Sequence, residues 1–182
     1  MSCSSPLAIL LVDGYNVIGS WSFLKNTRDR DGLLSSRQEL IETLANYSAF
    51  VGYDTEIVFD AHSLNTPNSR EVITNHLSVY YTDFGETADT YIEKFCASYR
   101  NKLVKPTKRL IVATSDRAEQ LTVVGYGAQC VSSQQLLSDV EFTARRTRRK
   151  YRPQKSSSGR FLVNSLDAKA QQRLEQLRNS IK

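Results

Sequence analysis

The sequence predicts an α/β domain built on a central parallel β-sheet of four to five strands flanked by helices, with one further helix appended at the C-terminal end. Two observations predict it. Short apolar runs recur at residues 7–12, 56–59, 76–81 and 110–113, each ended by turn residues, which is the pattern of buried strands. Between them lie stretches with apolar residues near a 3.6 period, and a parallel strand can return only through a crossover of a dozen or more residues.

Residues 7–12 read as a fully buried strand feeding a loop, Asp13-Gly14-Tyr15-Asn16. Residues 35–50 follow as a helix through Leu40, Ile41, Leu44, Ala45 and Tyr47, with Ser35 or Ser36 as N-cap. The run at 56–59 ends at Asp60-Ala61-His62, and the β-rich run at 76–81 ends at Thr82-Asp83-Phe84-Gly85. Residues 86–103 repeat Ala88, Tyr91, Ile92, Phe95, Cys96 and Tyr99 on one face, and their acidic start suits the positive end of a helix. The run at 110–113 ends at Thr114-Ser115-Asp116, before a short helix at 117–124 closed by Gly125 and Gly127. A weaker strand at 128–131 precedes a helix at 133–150, buried through Leu136, Leu137 and Val140.

The organisation expected is a lead at 1–6, a domain at 7–152, a linker at 153–164 and a helix at 165–182. That helix carries Leu166, Ala170, Leu174, Leu177 and Ile181 on one stripe and is expected to dock on the same domain, since about 20 residues cannot form a core alone.

Composition excludes several classes. With 182 residues, 40% hydrophobic and 24% charged, the chain is ordinary globular material and not disordered. No apolar run approaches the roughly 20 residues of a membrane helix, and residues 1–6 lack the basic and apolar regions of a secretory signal, so the chain reads as cytoplasmic. Cys3, Cys96 and Cys130 are too dispersed for a zinc set or a disulfide framework, and Cys96 and Cys130 read as core thiols. His62 and His76 have no partner at metal-site spacing. The net charge of +5 is compatible with a polyanionic partner. Its distribution says more: Arg145, Arg146, Arg148, Arg149, Lys150, Arg152 and Lys155, seven of the 24 basic residues, fall in one acid-free segment beside Tyr151. Such a segment fits phosphate contacts, although basic residues near a helix C-terminus also favour its dipole.

The acids fall where such a fold gathers its ligands, on the loops after the strand C-termini. Reading past each run gives Asp13, Asp60, the group Asp83, Glu86 and Asp89, and Asp116. Any one of these is an ordinary turn or N-cap residue, but four strand ends with four acidic positions make a cluster that repulsion would disperse unless cations held it. Hard oxygen donors without His or Cys suit Mg2+ or Mn2+. The chemistry indicated is metal-assisted phosphodiester hydrolysis, with Asp13, Asp89 and Asp116 as metal ligands, Glu86 as a ligand or water-positioning base, and Asp60 as an outer ligand. Glu86 and Asp89, three apart at a helix start, would share a face. Asn16 would hold a metal water or a phosphate oxygen, and Gly14 reads first as a turn glycine.

The strings LLVDGYNVIGSW (10–21), IVFDAH (57–62), ETADTYIEK (86–94) and VATSDRAEQ (112–120) together resemble the YacP-like branch of the NYN domains, in the PIN-like nuclease superfamily. The resemblance spans residues 7 to about 155 and is carried by four blocks in register. It implies a PIN-like Rossmannoid fold, a Mg2+- or Mn2+-dependent endoribonuclease activity, and acidic active-site positions at Asp13, Glu86, Asp89 and Asp116 with Asn16 beside them. Asp60 matches a further family acid. The branch includes a ribosome-associated nuclease that cuts mRNA in the A site, which makes mRNA and the ribosome the partners implied. Two other readings stand beside it. A non-catalytic RNA- or ribosome-binding module would keep the fold, and its discriminator is loss of the acids. A phosphatase using the first Asp as nucleophile would want a second Asp two residues on, where this chain has Tyr15.

Overall fold

The computed structural model describes residues 6–60, 69–102 and 108–150; the predicted linker and last helix lie outside them. Most of these residues belong to one compact unit, Met1–Arg146, while Thr147 to Lys150 count with a second, Thr147–Lys182. In chain order the elements are β1 (Ala8–Asp13), α1 (Gly14–Ser20), α2 (Ser22–Asp31), α3 (Leu33–Val51), β2 (Tyr53–Phe59), β3 (Ser69–Thr74), β4 (Leu77–Tyr81), α4 (Ala88–Lys102), β5 (Arg109–Ala113), α5 (Arg117–Gly125), β6 (Gln129–Val131) and α6 (Ser133–Lys150).

The strands form one six-stranded sheet in the order β3-β4-β2-β1-β5-β6. Strand β1 pairs in parallel with β2 and β5, β2 with β4, and β5 with β6, while β3 runs antiparallel to β4. The α/β fold expected from the sequence is therefore present, with one strand more than predicted. That strand, SREVIT, is exposed at all six positions, so no buried apolar run marks it. The chain leaves β1 toward β2 on one side and returns to β5 on the other, which makes the C-terminal end of β1 the switch point where open α/β sheets bind ligands.

Asp13 to Asn16 do not form the loop expected from the sequence. Asp13 ends β1 and caps α1, its carboxylate accepting the Asn16 N–H at 3.0 Å, so strand passes directly into helix. Helices α1 and α2 carry too little apolar period to be seen in the sequence: α2 buries only Leu24. The N-cap of α3 is Gly32 at φ +89, not Ser35 or Ser36. Ser36 instead turns inward and donates to the Leu24 carbonyl at 2.9 Å, joining α3 to α2.

Two cores sandwich the sheet. Leu10, Val12, Ile57, Phe59, Leu77, Val79, Ile111 and Ala113 pack against α1, α2, α3 and α6. Leu11, Val58, Leu110 and Val112 pack against α4 and α5 through Ala88, Ile92, Cys96 and Val123. Trp21, fully buried at the α1–α2 corner, donates its indole N–H to the Ser133 carbonyl at 2.7 Å and so fixes the start of α6.

Candidate metal-binding active site

Strand parity decides which strand-end residues meet. Successive side chains alternate between faces, so Asp13 follows Ile9 and Leu11 onto the α4–α5 face. By the same count Asp60, one past Phe59, and Thr114, one past Ala113, emerge on that face, and the N-terminal turns of α4 and α5 approach it. Asp60 accepts the Ala88 N–H in a short hydrogen bond and so tethers α4. Asp89, one residue on, lies in the first turn of α4. Asp116 caps α5, accepting the N–H groups of Ala118 at 2.8 Å and Glu119 at 3.1 Å.

The tightest grouping among the described residues is Asp13, Asp89 and Glu119. One carboxylate oxygen from each lies within 4.8 Å of the other two. Glu119 is 5% exposed, and neither of its oxygens has a hydrogen-bond partner of ordinary geometry. Burial pushes its carboxyl up to about 8; the nearby Thr114 hydroxyl pulls the other way, and the charges of Asp13, Asp89 and Asp116 add to the rise. Asp13 is pushed up to about 6, first by burial, then by Asp89, Asp60 and Asp116, against the opposing Asn16 N–H. Asp89 is raised by burial and then by Asp116 and Asp60. No Lys or Arg among the described residues pairs with any of the three. Two buried carboxylates, Asp13 and Glu119, joined by the exposed Asp89, repel one another and lack a cation, which makes a site suited to a hard divalent ion; binding one would release the protons that the raised values retain.

Glu119 was not singled out in the sequence because it sits three residues past the strand-end acid. The spacing Asp116-x-x-Glu119 is that of a capping box, in which the glutamate folds back onto the cap's own N–H. Here the Asp116 N–H is taken by the Thr114 hydroxyl at 3.1 Å, which leaves the Glu119 carboxylate free of that role and turned toward Asp13 and Asp89. That spacing was the available signal.

The other predicted positions are placed differently. Asp116 is exposed and raises its neighbours' values, but its oxygens lie outside the tight group. Glu86 precedes α4, which begins at Ala88, so the helical spacing invoked for Glu86 and Asp89 does not apply. Its carboxylate pairs with Lys94 at 2.7 Å. The Asn16 side-chain oxygen is engaged by the Ser115 N–H at 2.8 Å and the Ser133 hydroxyl at 3.0 Å, making it a bracket between the ends of β1 and β5 and the start of α6. Gly14 is required by packing: a Cβ there would overlap the Phe59 ring.

Of the basic segment, Arg148 and Arg149 are exposed, Arg145 pairs with Glu141 at 3.1 Å, and Arg146 lies over the Phe142 ring at 5.7 Å. The Lys150 side chain, Arg152 and Lys155 lie outside the described residues. Among the described residues the thiols offer no nucleophile: burial pushes Cys96 up to about 12 and raises Cys130. No described helix is long and apolar enough to cross a membrane.

Comparison with known proteins supplies the frame for this geometry. Residues 10–179 match the model of the YacP-like NYN domain family, a span that takes in the linker and most of the last helix predicted from the sequence. A Bacillus subtilis (strain 168) relative, described as uncharacterized protein YacP, is 39% identical over 145 residues, covering 79% of this chain and 81% of its own. A crystal structure of a point mutant of Rae1 (YacP) from Bacillus subtilis superposes with a TM-score of 0.67 at 32% identity, covering 93% of this chain and 99% of that one. A second crystal structure of Rae1 (YacP) from the same organism gives 0.66 at 33% identity, covering 94% of each chain.

Proposed function

The chain belongs to the YacP-like NYN domain family, and from that premise we propose that it is a divalent-metal-dependent endoribonuclease that hydrolyses mRNA in the cytoplasm, in association with the translating ribosome, and contributes to mRNA decay. One observation carries the nuclease reading. Asp13, Asp89 and Glu119 bring three carboxylate oxygens within 4.8 Å, and the most buried of these acids has no other hydrogen-bond partner of ordinary geometry. NYN domains are nuclease-like, and an all-carboxylate donor set selects Mg2+ or Mn2+ over zinc.

Each residue then has a task. Asp13, Asp89 and Glu119 hold the ion. Asp116 and Asp60 fix the N-terminal turns of α5 and α4 that present Glu119 and Asp89, and their charge deepens the negative potential at the site. Asn16 keeps the β1 and β5 ends in register with α6. A bound divalent ion supplies activation of water and stabilisation of charge on the phosphoryl oxygens. Arg145, Arg146, Arg148, Arg149, Lys150, Arg152 and Lys155 contact RNA or ribosome phosphates, which gives affinity and salt dependence with little sequence preference. The ribosome association rests on the family resemblance.

The test is incubation of the chain with ribosome-bound and free mRNA in Mg2+, Mn2+ or chelator, repeated with Asp13→Asn and Asp89→Asn. Cleavage that needs metal and is lost in both variants supports the reading. Cleavage that survives both substitutions refutes it.

A further inference from the structure

Arg37 is a cation without an anion at the same sheet edge, and we propose that it grips a backbone phosphate of the RNA adjacent to the one at the acid cluster. The inference rests on the nuclease reading above and adds the residue that would hold the flanking strand.

Arg37 projects from α3 onto an aromatic platform. Its guanidinium carbon lies 5.1 Å from the Tyr15 ring centroid, 5.4 Å from that of Phe59 and 6.0 Å from that of Tyr81, and Nη2 donates to the Tyr15 hydroxyl in a short hydrogen bond. The rings brace one another: Tyr15 and Phe59 are tilted at 5.1 Å, and Phe59 and Tyr81 stack at 5.8 Å. Arg37 forms no ion pair among the described residues, and it differs from the other arginines there without one in that its Nε is buried without a partner. Arg37 is half-buried, and contact with aromatic faces gives its buried Nε–H no acceptor. A ligand with two acceptor oxygens on one atom completes it, and the planar fork of arginine matches a phosphate in that way.

Position identifies which phosphate. Phe59 and Tyr81 end β2 and β4, and Tyr15 follows β1 by two residues, so the platform stands at the edge that carries Asp13 and Asp60. Parity sends Phe59 and Tyr81 to the α1–α3 face while Asp13 and Asp60 go to the α4–α5 face. A single strand laid across this edge, with one phosphate at the acid cluster, carries a neighbouring phosphate toward Arg37. The cation also offsets the repulsion that the clustered acids exert on a polyanion. The sequence Asp13-Gly14-Tyr15 thus serves both sides: a metal-binding acid, a glycine that lets Phe59 close in, and the hydroxyl that orients Arg37.

The test measures binding without turnover, by fluorescence anisotropy of a labelled single-stranded oligoribonucleotide in Mg2+ on an Asp89→Asn background. Arg37→Met is expected to weaken binding about three- to tenfold and to reduce the slope of log affinity against log salt by about 0.7, the loss of one phosphate contact. Unchanged affinity and slope in a folded variant overturns the proposal. Because Arg37 also packs the aromatic platform, the same Asp89→Asn chain gives a second reading that leaves Arg37 unsubstituted: phenylglyoxal modification of Arg37 followed by mass spectrometry. Bound RNA is expected to slow that modification, and an equal rate with and without RNA overturns the proposal. An unsubstituted chain that binds no RNA refutes the nuclease reading itself, whereas RNA binding indifferent to Arg37 refutes this inference alone.

Discussion

Two buried glutamates face the same side of the sheet and have opposite surroundings. Glu56 on β2, 4% exposed, accepts from the Tyr91 hydroxyl at 2.7 Å and the Ser78 hydroxyl at 3.2 Å and pairs with Arg70 at 2.6 Å. Glu119, 5% exposed, has no hydrogen-bond partner of ordinary geometry on either oxygen and sits among other acids. Burial alone therefore does not mark a functional acid; the state of its partners does. The first site is complete and ties β3, β4 and α4 to β2. The second has no such partners and could hold a cation, and its acids are kept together by the helix caps at Asp60 and Asp116.

The largest expected difference between the two is in turnover. Asp13→Asn, Asp89→Asn and Glu119→Gln should each lower RNA cleavage by more than about a hundredfold, since they remove metal ligands, while Glu56→Gln should leave cleavage by the folded protein nearly unchanged. Gel assays at saturating Mg2+ decide this, and a fully active Glu119→Gln would break the comparison. In stability the order reverses. Glu56→Ala strands the Tyr91 and Ser78 hydroxyls and should cost about 2–3 kcal/mol in urea unfolding, most of it from those hydrogen bonds, because Arg70 is 59% exposed and its ion pair is screened.

Next in size is a pH effect on the metal-free chain. The folded Glu119 carboxyl titrates near 8 against 4.5 in the unfolded chain, so the folded state keeps a proton that the unfolded state has lost. The resulting destabilisation is absent below about pH 4.5, grows through the window and is complete above about pH 8, with a slope of at most about 1.4 kcal/mol per pH unit. Asp13 adds a smaller effect between 3.8 and about 6. Urea unfolding from pH 5 to 8 should show the wild type losing stability relative to Glu119→Gln, and saturating Mg2+ should close the gap. A difference that is constant with pH contradicts the shared burial of these acids. The smallest stability effect is expected at the far end of α6. Replacing Arg145, Arg146, Arg148 and Arg149 with Gln should change unfolding by no more than about 0.5 kcal/mol, yet flatten the salt dependence of RNA binding.

Much of this architecture was readable from apolar runs and helical periods, because β1, β2, β4, β5, α3, α4, α5 and α6 each bury a face. Strand β3 was not, since pairing with β4 holds it without burial. Helices α1 and α2 were hidden because α1 is short and α2 is almost wholly polar. At the site, the acids at strand ends and at the acidic start of α4, Asp89 among them, were readable, and Glu119, a turn into α5, was not. Asp13 and Asp60 could be found by counting from a strand, whereas Glu119 depends on how α5 is capped and Glu56 lay inside a run read as plain strand. Glu86 shows the converse error: its spacing to Asp89 matters only if the helix has begun, and it begins two residues later.

Mn2+ binding followed by electron paramagnetic resonance, on the wild type, Glu119→Gln and Glu56→Gln side by side, tests most directly whether Glu119 completes a cation site. The wild type and Glu56→Gln are expected to bind Mn2+ alike, and Glu119→Gln to lose most of its affinity. Equal Mn2+ binding by Glu119→Gln and wild type would contradict that role.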